Sequence, residues 1–323
     1  MPGTPPPRPT VVGAGIAGIA CARELAVAGL APRVLDRGRR IGGRMAVRTV
    51  DGRPIDLGAS YLTVRDPAFG AVVEDWLARG LARPWTDTFH VATPEGIEGT
   101  RTGPVRYAAP RGLRSLVEDL ARGLGVEHPY DVSDVSPTRA GTPSVAGRAA
   151  RVAVLAMPGP QALDLLSERY AAAREAADAV WEPTLALVAR WPRRCWPQLD
   201  GVFVNDSPVL TFVADDGSRR GDGAPVLVAH SHPVLAAGHL DDPERAAPAM
   251  LAELRAVLHI AKPAERVDVM RWSLAKPVEP RPEPFHLDEA IGLCGDGWHG
   301  PSRVEAAYLS GRALGLELAR RLG

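Results

Sequence analysis

Lysine is almost missing from this chain. Of 38 basic residues only Lys262 and Lys276 are lysines, so chemistry that needs a side-chain amine has two candidates. An excess of charge of one sign is missing too. The 38 acidic residues cancel the basic ones, which excludes the basic stripe of a nucleic-acid binder. Cysteine is scarce: Cys21, Cys195 and Cys294 are odd in number and widely spaced. They make neither a disulfide framework nor a zinc site, there is no metal-ligand cluster, and a reducing cytoplasm is the expected setting. No apolar run approaches the roughly 20 residues of a membrane helix. The start, Met1 to Pro9, is proline-rich and then glycine-punctuated, without the cleavage pattern of a secretory signal.

The chain has 323 residues. Single cores stop growing at about 250–300 residues, so the length allows one large core or two lobes. Thr10–Val12 reads as a strand, Ile16–Ala28 as a helix closed by Gly29, and Arg33–Leu35 as a second strand. Helical spacing recurs over Ala68–Arg79, Leu113–Leu124, Ala246–Ile260 and Ser302–Leu322. Asp131–Gly147 is turn-rich and reads as a β-meander. Arg151–Ala156 reads as a strand stopped by Pro158. Leu185–Arg190, Gly201–Asn205, Val209–Val213 and Pro225–His230 read as strands of an antiparallel sheet. Lys276–Pro284 reads as an extended connector. The pattern is α/β at both ends with mixed strands between, which fits two interleaved lobes.

Gly13-Ala14-Gly15-Ile16-Ala17-Gly18 is a G-x-G-x-x-G between a strand and a helix. Gly13 permits the tight turn, Gly15 lets backbone approach a pyrophosphate, and Gly18 lets helix pack on strand. The helix N-terminus offers free N–H groups to phosphates. Asp36 ends the next strand, where a carboxylate accepts bonds from ribose hydroxyls. The motif alone does not separate NAD from FAD.

The run Asp36-Arg37-Gly38-Arg39-Arg40-Ile41-Gly42-Gly43-Arg44-Met45 resembles the second FAD signature of glutathione-reductase-like and amine-oxidase-like flavoproteins. Gly42 and Gly43 would let the chain cross near the pyrophosphate, and Arg44 would supply a cationic fork. Near the other end stand Gly295-Asp296-Gly297 and Ser302-Arg303-Val304-Glu305. Asp296 either bonds the ribityl chain or makes an Asx turn. Ser302 and Glu305 form a capping box ahead of a helix whose dipole would stabilise the reduced flavin if it points there; these structural roles and the functional ones can hold together.

These stretches, with Asp56-Leu57-Gly58-Ala59-Ser60-Tyr61-Leu62-Thr63, Ala109-Pro110-Arg111-Gly112, Leu155-Ala156-Met157-Pro158 and Leu227-Val228-Ala229-His230, resemble renalase-like proteins of the flavin amine oxidase superfamily. The resemblance spans nearly the whole chain. It implies non-covalent FAD in a fold shared with p-hydroxybenzoate hydroxylase: a Rossmann-like FAD lobe with a parallel sheet, interleaved with a substrate lobe on a mixed or antiparallel sheet. Residues 1–65, 105–160 and 286–323 are assigned to the first lobe, 66–104 and 161–285 to the second. By resemblance Val132 packs on adenine through its backbone, and Gly58, Ala59 and Ser60 lie under the isoalloxazine. Renalase-like enzymes oxidise 2- or 6-dihydro-NAD(P) and pass the electrons to O2, giving H2O2. Ser60 stands where the family usually has Gln, Leu62 where an aromatic is familiar, and Arg111 lies at a position that varies among relatives.

Hydride transfer from a dihydropyridine needs stacking and exclusion of water rather than acid–base help. Amine oxidation needs a neutral amine, and in many superfamily members a lysine that holds a water. Lys276 is the candidate for that role, or else a surface lysine before a proline. Trp272 either walls a substrate pocket or is core. His230 matches a histidine of the renalase pattern and is either structural or catalytic. Tyr61 follows the flavin-facing segment and is a pocket candidate; Cys294 reads as a buried small residue. Three readings remain: a dihydronicotinamide oxidase, a flavin amine oxidase or desaturase, and a flavin-binding redox sensor without turnover. Oligomeric state is left open.

Overall fold

The computed structural model describes residues 7–288 and 290–323. The first apolar run forms the strand Arg8–Val12, buried after its first residue. It pairs in parallel with Arg33–Leu35 on one side and Arg148–Leu155 on the other. Arg148–Leu155 pairs in parallel with Ile291–Leu293, and Arg33–Leu35 with Val126–Glu127. The short strand His286–Leu287 closes one edge antiparallel, and the hairpin Val135–Pro137/Pro143–Val145 extends Arg148–Leu155. Runs such as Val152–Leu155 are buried without alternation, as a sheet covered on both faces requires.

Helix Ile16–Val27 covers one face and packs along the C-terminal helix Val304–Leu322. Gly311 and Gly315 make that approach possible. A Cβ on Gly311 would stand 1.9 Å from the Ala17 carbonyl oxygen, and one on Gly315 2.7 Å from that of Cys21. The two glycines are one helical turn apart, as are Ala17 and Cys21, so the small faces lie along each other. On the opposite face Ala162, Leu166, Ala173 and Ala177 join Val12, Leu35, Leu155 and Ile291 in one core. Each fully buried Leu or Ile contributes about 1.5–3 kcal/mol.

The second unit is built on a seven-stranded mixed sheet. Its order is Arg266–Pro277, Trp181–Arg190, Val226–Ser231, Leu210–Asp215, Gly201–Val204, Arg83–Thr93 and Gly96–Ala108. Gly201–Val204 pairs in parallel with Arg83–Thr93, whereas the pairs on either side are antiparallel. Alternation sorts the side chains. Leu185, Leu187, Ala189, Leu227, Ala229 and Val213 face a core closed by helix Ala247–Val257. Ala186, Val188, Val226 and Val228 face the other way, against Ile55 and Leu57. On that second face Trp85, Phe89, Ala108, Phe212 and Ala214 form a further cluster, with Tyr61 and Phe203 against it.

Chain contacts divide the protein into residues 1–44, 117–181 and 276–323 against 45–116 and 182–275. The sequence placed its cuts at 65, 104, 160 and 285. The difference follows from packing. The hairpin Val47–Val50/Arg53–Asp56 puts Val50, Ile55 and Leu57 in a core with Ala186 and Val228, so residues 45–65 go with the second unit. The helices Gly159–Leu165 and Ala171–Ala177 pack in the first unit. The segment expected as an extended connector begins inside the strand Arg266–Pro277.

Gly311→Ala should lower the midpoint of thermal unfolding by several degrees, through an overpacking cost of about 1–3 kcal/mol. Gly99→Ala, with nothing within 4 Å of the added carbon, should leave it within about one degree. Equal melting curves for the two variants would contradict the close helix contact.

Candidate active site

Parallel pairing brings the carboxyl ends of the first unit's strands to one edge, where open α/β sheets bind ligands. Gly13 follows Arg8–Val12 and donates its N–H to the Leu35 carbonyl at 2.7 Å. It has φ +104°, and a Cβ there would meet the Ala156 carbonyl oxygen at 2.5 Å. A Cβ on Gly18 would lie 1.9 Å from the Gly13 oxygen, so helix and turn touch backbone to backbone. Ile16 and Ala17 are buried in the first turn of the helix. Gly15 is its N-cap, with no side-chain cap bond and no acidic residue in the first turn. The amide groups there are left for another acceptor.

The second glycine pair comes to the same place. Gly42 donates its N–H to the Ala14 carbonyl at 2.9 Å. A Cβ on Gly43 would stand 3.3 Å from Gly15 Cα. The Asp36 carboxylate accepts from the Ala14 N–H at 2.6 Å and the Gly38 N–H at 2.7 Å, at the end of its strand. Arg44 reaches the third stretch. Its Nη1 donates to Asp296 Oδ2 at 2.9 Å and its Nη2 to Oδ1, while its guanidinium lies 5.0 Å from the Trp181 ring centroid. The Ser302 hydroxyl donates to Asp296 Oδ2 at 2.6 Å.

Ser302 and Glu305 therefore do not make the expected capping box. Helix Val304–Leu322 has Arg303 at its N-cap without a side-chain cap bond, because it begins one residue too late for Ser302 to stand at the N-cap. Asp296 likewise bonds Arg44 and Ser302 rather than closing an Asx turn. Val304 is the buried first residue of that helix, Gly295 has φ +148°, and Val132 is buried beside Val135 and Val12. Arg37 is exposed. Cys294 is fully buried and its thiol is pushed up to about 12, the state of an inert packing residue.

The remaining flavin and substrate candidates, Met45, Gly58, Ala59, Ser60, Tyr61, His230 and Trp272, belong to the second unit. Met45 is buried; Gly58 and Ala59 are half-buried. The segment Asp56–Ser60 is clamped by its carbonyls. Arg219 Nη2 donates to the Asp56 oxygen and Nη1 to the Ser60 oxygen, both at 3.1 Å. Trp272 Nε1 donates to the Leu57 oxygen at 2.9 Å. Trp272 thus belongs to the support of this segment. The Ser60 hydroxyl is buried without a partner.

Behind the clamp lies a charge cluster that the sequence reading missed. Arg219 and Arg220 both pair with Asp216, and Arg220 also pairs with Asp56 at 2.8 Å. Burial raises the Asp56 carboxyl against the pull of Arg219 and Arg220. In Asp216 the same burial is outweighed by Arg219, Arg220 and Arg53, which hold it below the usual carboxylate range. Asp215-Asp216-Gly217-Ser218-Arg219-Arg220 carries no assignment from the sequence. Only the i,i+3 spacing of Asp216 and Arg219 hinted at a helix pair.

His230 stands in Val226–Ser231, facing Phe212 with ring centroids 6.2 Å apart. Its Nε2 is buried and unpartnered. Burial, then the Arg219 charge, lower its pKa to about 4, so the imidazole is neutral above that pH. Lys276 and Lys262 are both exposed. Among the described residues no group of three His, Cys, Asp or Glu is placed to hold a metal, and no helix is long and apolar enough to cross a membrane.

Comparison with known proteins places the chain. Residues 11–76 match an NAD(P)-binding Rossmann-like domain, and residues 89–313 match the flavin containing amine oxidoreductases. The chain belongs to the flavin-containing amine oxidoreductase family. FAD is its cofactor, and the Gly15–Gly43 cradle, bare of side chains, fits the group. Putrescine oxidase of Kocuria rosea is 32% identical over 126 residues, covering 37% of this chain and 26% of that protein. Polyamine oxidase 4 of Oryza sativa subsp. japonica is 46% identical over 57 residues, covering 18% and 12%. The chain spans less than a third of the curated relatives it matches. Cyclohexylamine oxidase from Brevibacterium oxydans superposes with a TM-score of 0.76 at 14% identity, over 98% of this chain and 100% of that one. A fatty acid isomerase from P. acnes gives 0.72 at 12%, over 98% and 99%, so the fold is shared by proteins of differing activity.

Gly15→Val should yield folded protein with less than about a tenth of the wild-type FAD content, read as absorbance at constant protein. The nearest protein atom to a Cβ there is Gly43 Cα at 4.0 Å, so the added bulk meets the cofactor's space rather than the chain's own backbone. Full occupancy would refute the cradle. For His230 the folded pKa lies below the unfolded value of 6.5, so the unfolded chain binds the extra proton. Stability should be lost as pH falls from 6.5 towards 4, by up to about 3 kcal/mol. His230→Gln should flatten that part of the denaturant-unfolding profile; an unchanged slope would mean that the imidazole is charged when folded.

Proposed function

We propose that the protein is an FAD-dependent oxidase of a small reduced substrate, an isomeric dihydronicotinamide (2- or 6-dihydro-NAD(P)), with O2 as electron acceptor. FAD, when bound, would supply the hydride acceptor, and its reoxidation by O2 with a proton from solvent would give H2O2. In this reading Gly13, Gly15, Ile16, Ala17, Gly18, Gly42, Gly43 and Arg44 hold the pyrophosphate. Asp36 takes ribose hydroxyls, the Val132 backbone meets adenine, and Gly295, Asp296 and Val304 serve the ribityl and flavin end. The first unit is the cofactor lobe and the second the substrate lobe. Three free thiols suit a reducing cytoplasm.

The observation that carries the reading is how little acid–base equipment the second unit offers on its aromatic face. His230 is neutral there, and both lysines of the chain are exposed. A dihydropyridine gives up a hydride and no proton, so the residues have only to stack the ring, orient it and exclude water. Tyr61, Phe203 and Phe212 offer ring surfaces for that, with Asp56–Ser60 held rigid beside them. The Asp56–Thr63 stretch resembles renalase-like proteins in particular.

Amine oxidation is the second reading, favoured by the likeness to putrescine and cyclohexylamine oxidases. It would assign Lys276 to hold a water, a role for which its exposure is a poor setting. Anaerobic stopped-flow mixing decides between them. The 2- and 6-dihydro-NAD(P) isomers should bleach the flavin much faster than 4-dihydro-NADH, putrescine or cyclohexylamine. The reverse ranking establishes the amine reading, and no bleaching by any of them leaves a flavin-binding protein without turnover.

A further inference from the structure

The described residues of the second unit include three buried arginines, Arg106, Arg219 and Arg220. Two of them are matched by Asp216 and Asp56. Arg106, 6% exposed, has no carboxylate partner among the described residues. It lies on Gly96–Ala108, two residues before Ala108, and joins the aromatic face. Its guanidinium carbon is 3.9 Å from the Phe89 ring centroid and 5.6 Å from that of Tyr61. Nη1 donates to the Asp87 carbonyl at 2.7 Å, and Nε is buried without a partner.

A guanidinium has five N–H donors, and the protein engages one of these. Ring faces and a neutral carbonyl recover only part of what it costs to take the ion out of water. A cation held dry and stacked, with donors to spare, is prepared for an anion with two oxygens. Phe89 and Tyr61 beside it, and Trp85, Phe203, Phe212 and the neutral His230 on the same aromatic face, bring no competing negative charge. A protonated amine on the same face would meet a like charge.

We propose that Arg106 anchors an anionic group, a carboxylate or a phosphate, of a planar substrate carried on this aromatic face. The proposal rests on reading that face as the substrate's. It defines a substrate class, anions with an aromatic or dihydroaromatic ring, and disfavours free polyamines.

The test uses oxidised holoenzyme without turnover. Benzoate, phenyl phosphate and neutral benzamide are titrated, with binding read by calorimetry and by the visible difference spectrum of the flavin. At least one anion should bind about tenfold or more tighter than benzamide, and the preferred anion identifies carboxylate or phosphate. Arg106→Gln should weaken that anion by about 10- to 100-fold with benzamide unchanged, and Arg106→Lys should restore part of the loss. Benzamide binding as well as both anions, or an anion preference that survives Arg106→Gln, overturns the anchor. The wild-type comparison decides even if the Gln variant fails to fold. Anion binding through Arg106 in a protein whose flavin no dihydronicotinamide reduces would keep the anchor and discard that substrate; the opposite pair of results would do the reverse.

Discussion

Parallel pairing of Arg8–Val12 with Arg33–Leu35 and Arg148–Leu155 is the constraint on which the first unit depends. Strands that run the same way end at the same edge, so Gly13, Asp36, Ala156 and Gly295 arrive together although they are far apart in the chain. The glycines follow from that convergence. The turn after Arg8–Val12 runs against the Ala156 carbonyl, the helix after it runs against the turn, and the second glycine pair crosses in front of both. Side chains at these points would fill the space a dinucleotide needs. Asp36, Asp296 and Arg44 bring strong charges there, and each carboxylate is already oriented by neighbouring donors.

The second unit solves a different problem, holding irregular backbone still. Leu57–Ser60 follows the strand Arg53–Asp56 and lies outside any sheet, so the chain there has no ladder to hold it. Arg219 and Trp272 take that part, and Arg219 can do so because Asp216 neutralises it in place. Removing one member of such a buried group strands a charge, at a cost of about 3–5 kcal/mol. The cluster is thus better understood as a device for fixing one conformation than as a source of stability.

What could be read from the sequence followed the specificity of the physical requirement. Gly13 and Gly18 were legible because only glycine meets those backbone contacts, Gly15 because a pyrophosphate needs bare backbone there, and Asp36 because its place at a strand end is fixed by topology. Strands such as Val226–Ser231 announced themselves by apolar runs between turn residues. The hairpin Arg83–Thr93/Gly96–Ala108 did not. Its outer strand is exposed for most of its length, and Gly99, Gly103 and Pro104 break the alternation. The hairpin after Val47 carried a usable sign that went unread: Asp51-Gly52, both at positive φ, is the two-residue turn such strands favour. Arg106 and Arg219 were invisible for a deeper reason. Arginine reads as surface unless its partners are known: the Asp56 and Ser60 carbonyls that Arg219 holds lie far off in the chain, and Arg106 has ring faces and a carbonyl in place of a carboxylate.

The bond between Arg44 and Asp296 joins residues 252 positions apart, with the whole second unit inserted between them. During translation the Gly13–Gly18 turn leaves the ribosome long before the carboxylate that will complete its surroundings. A nascent chain therefore carries the phosphate-binding half of its cofactor site open for most of its synthesis. The surroundings of that turn are completed only once Asp296 has been made and helix Val304–Leu322 has packed along Ile16–Val27.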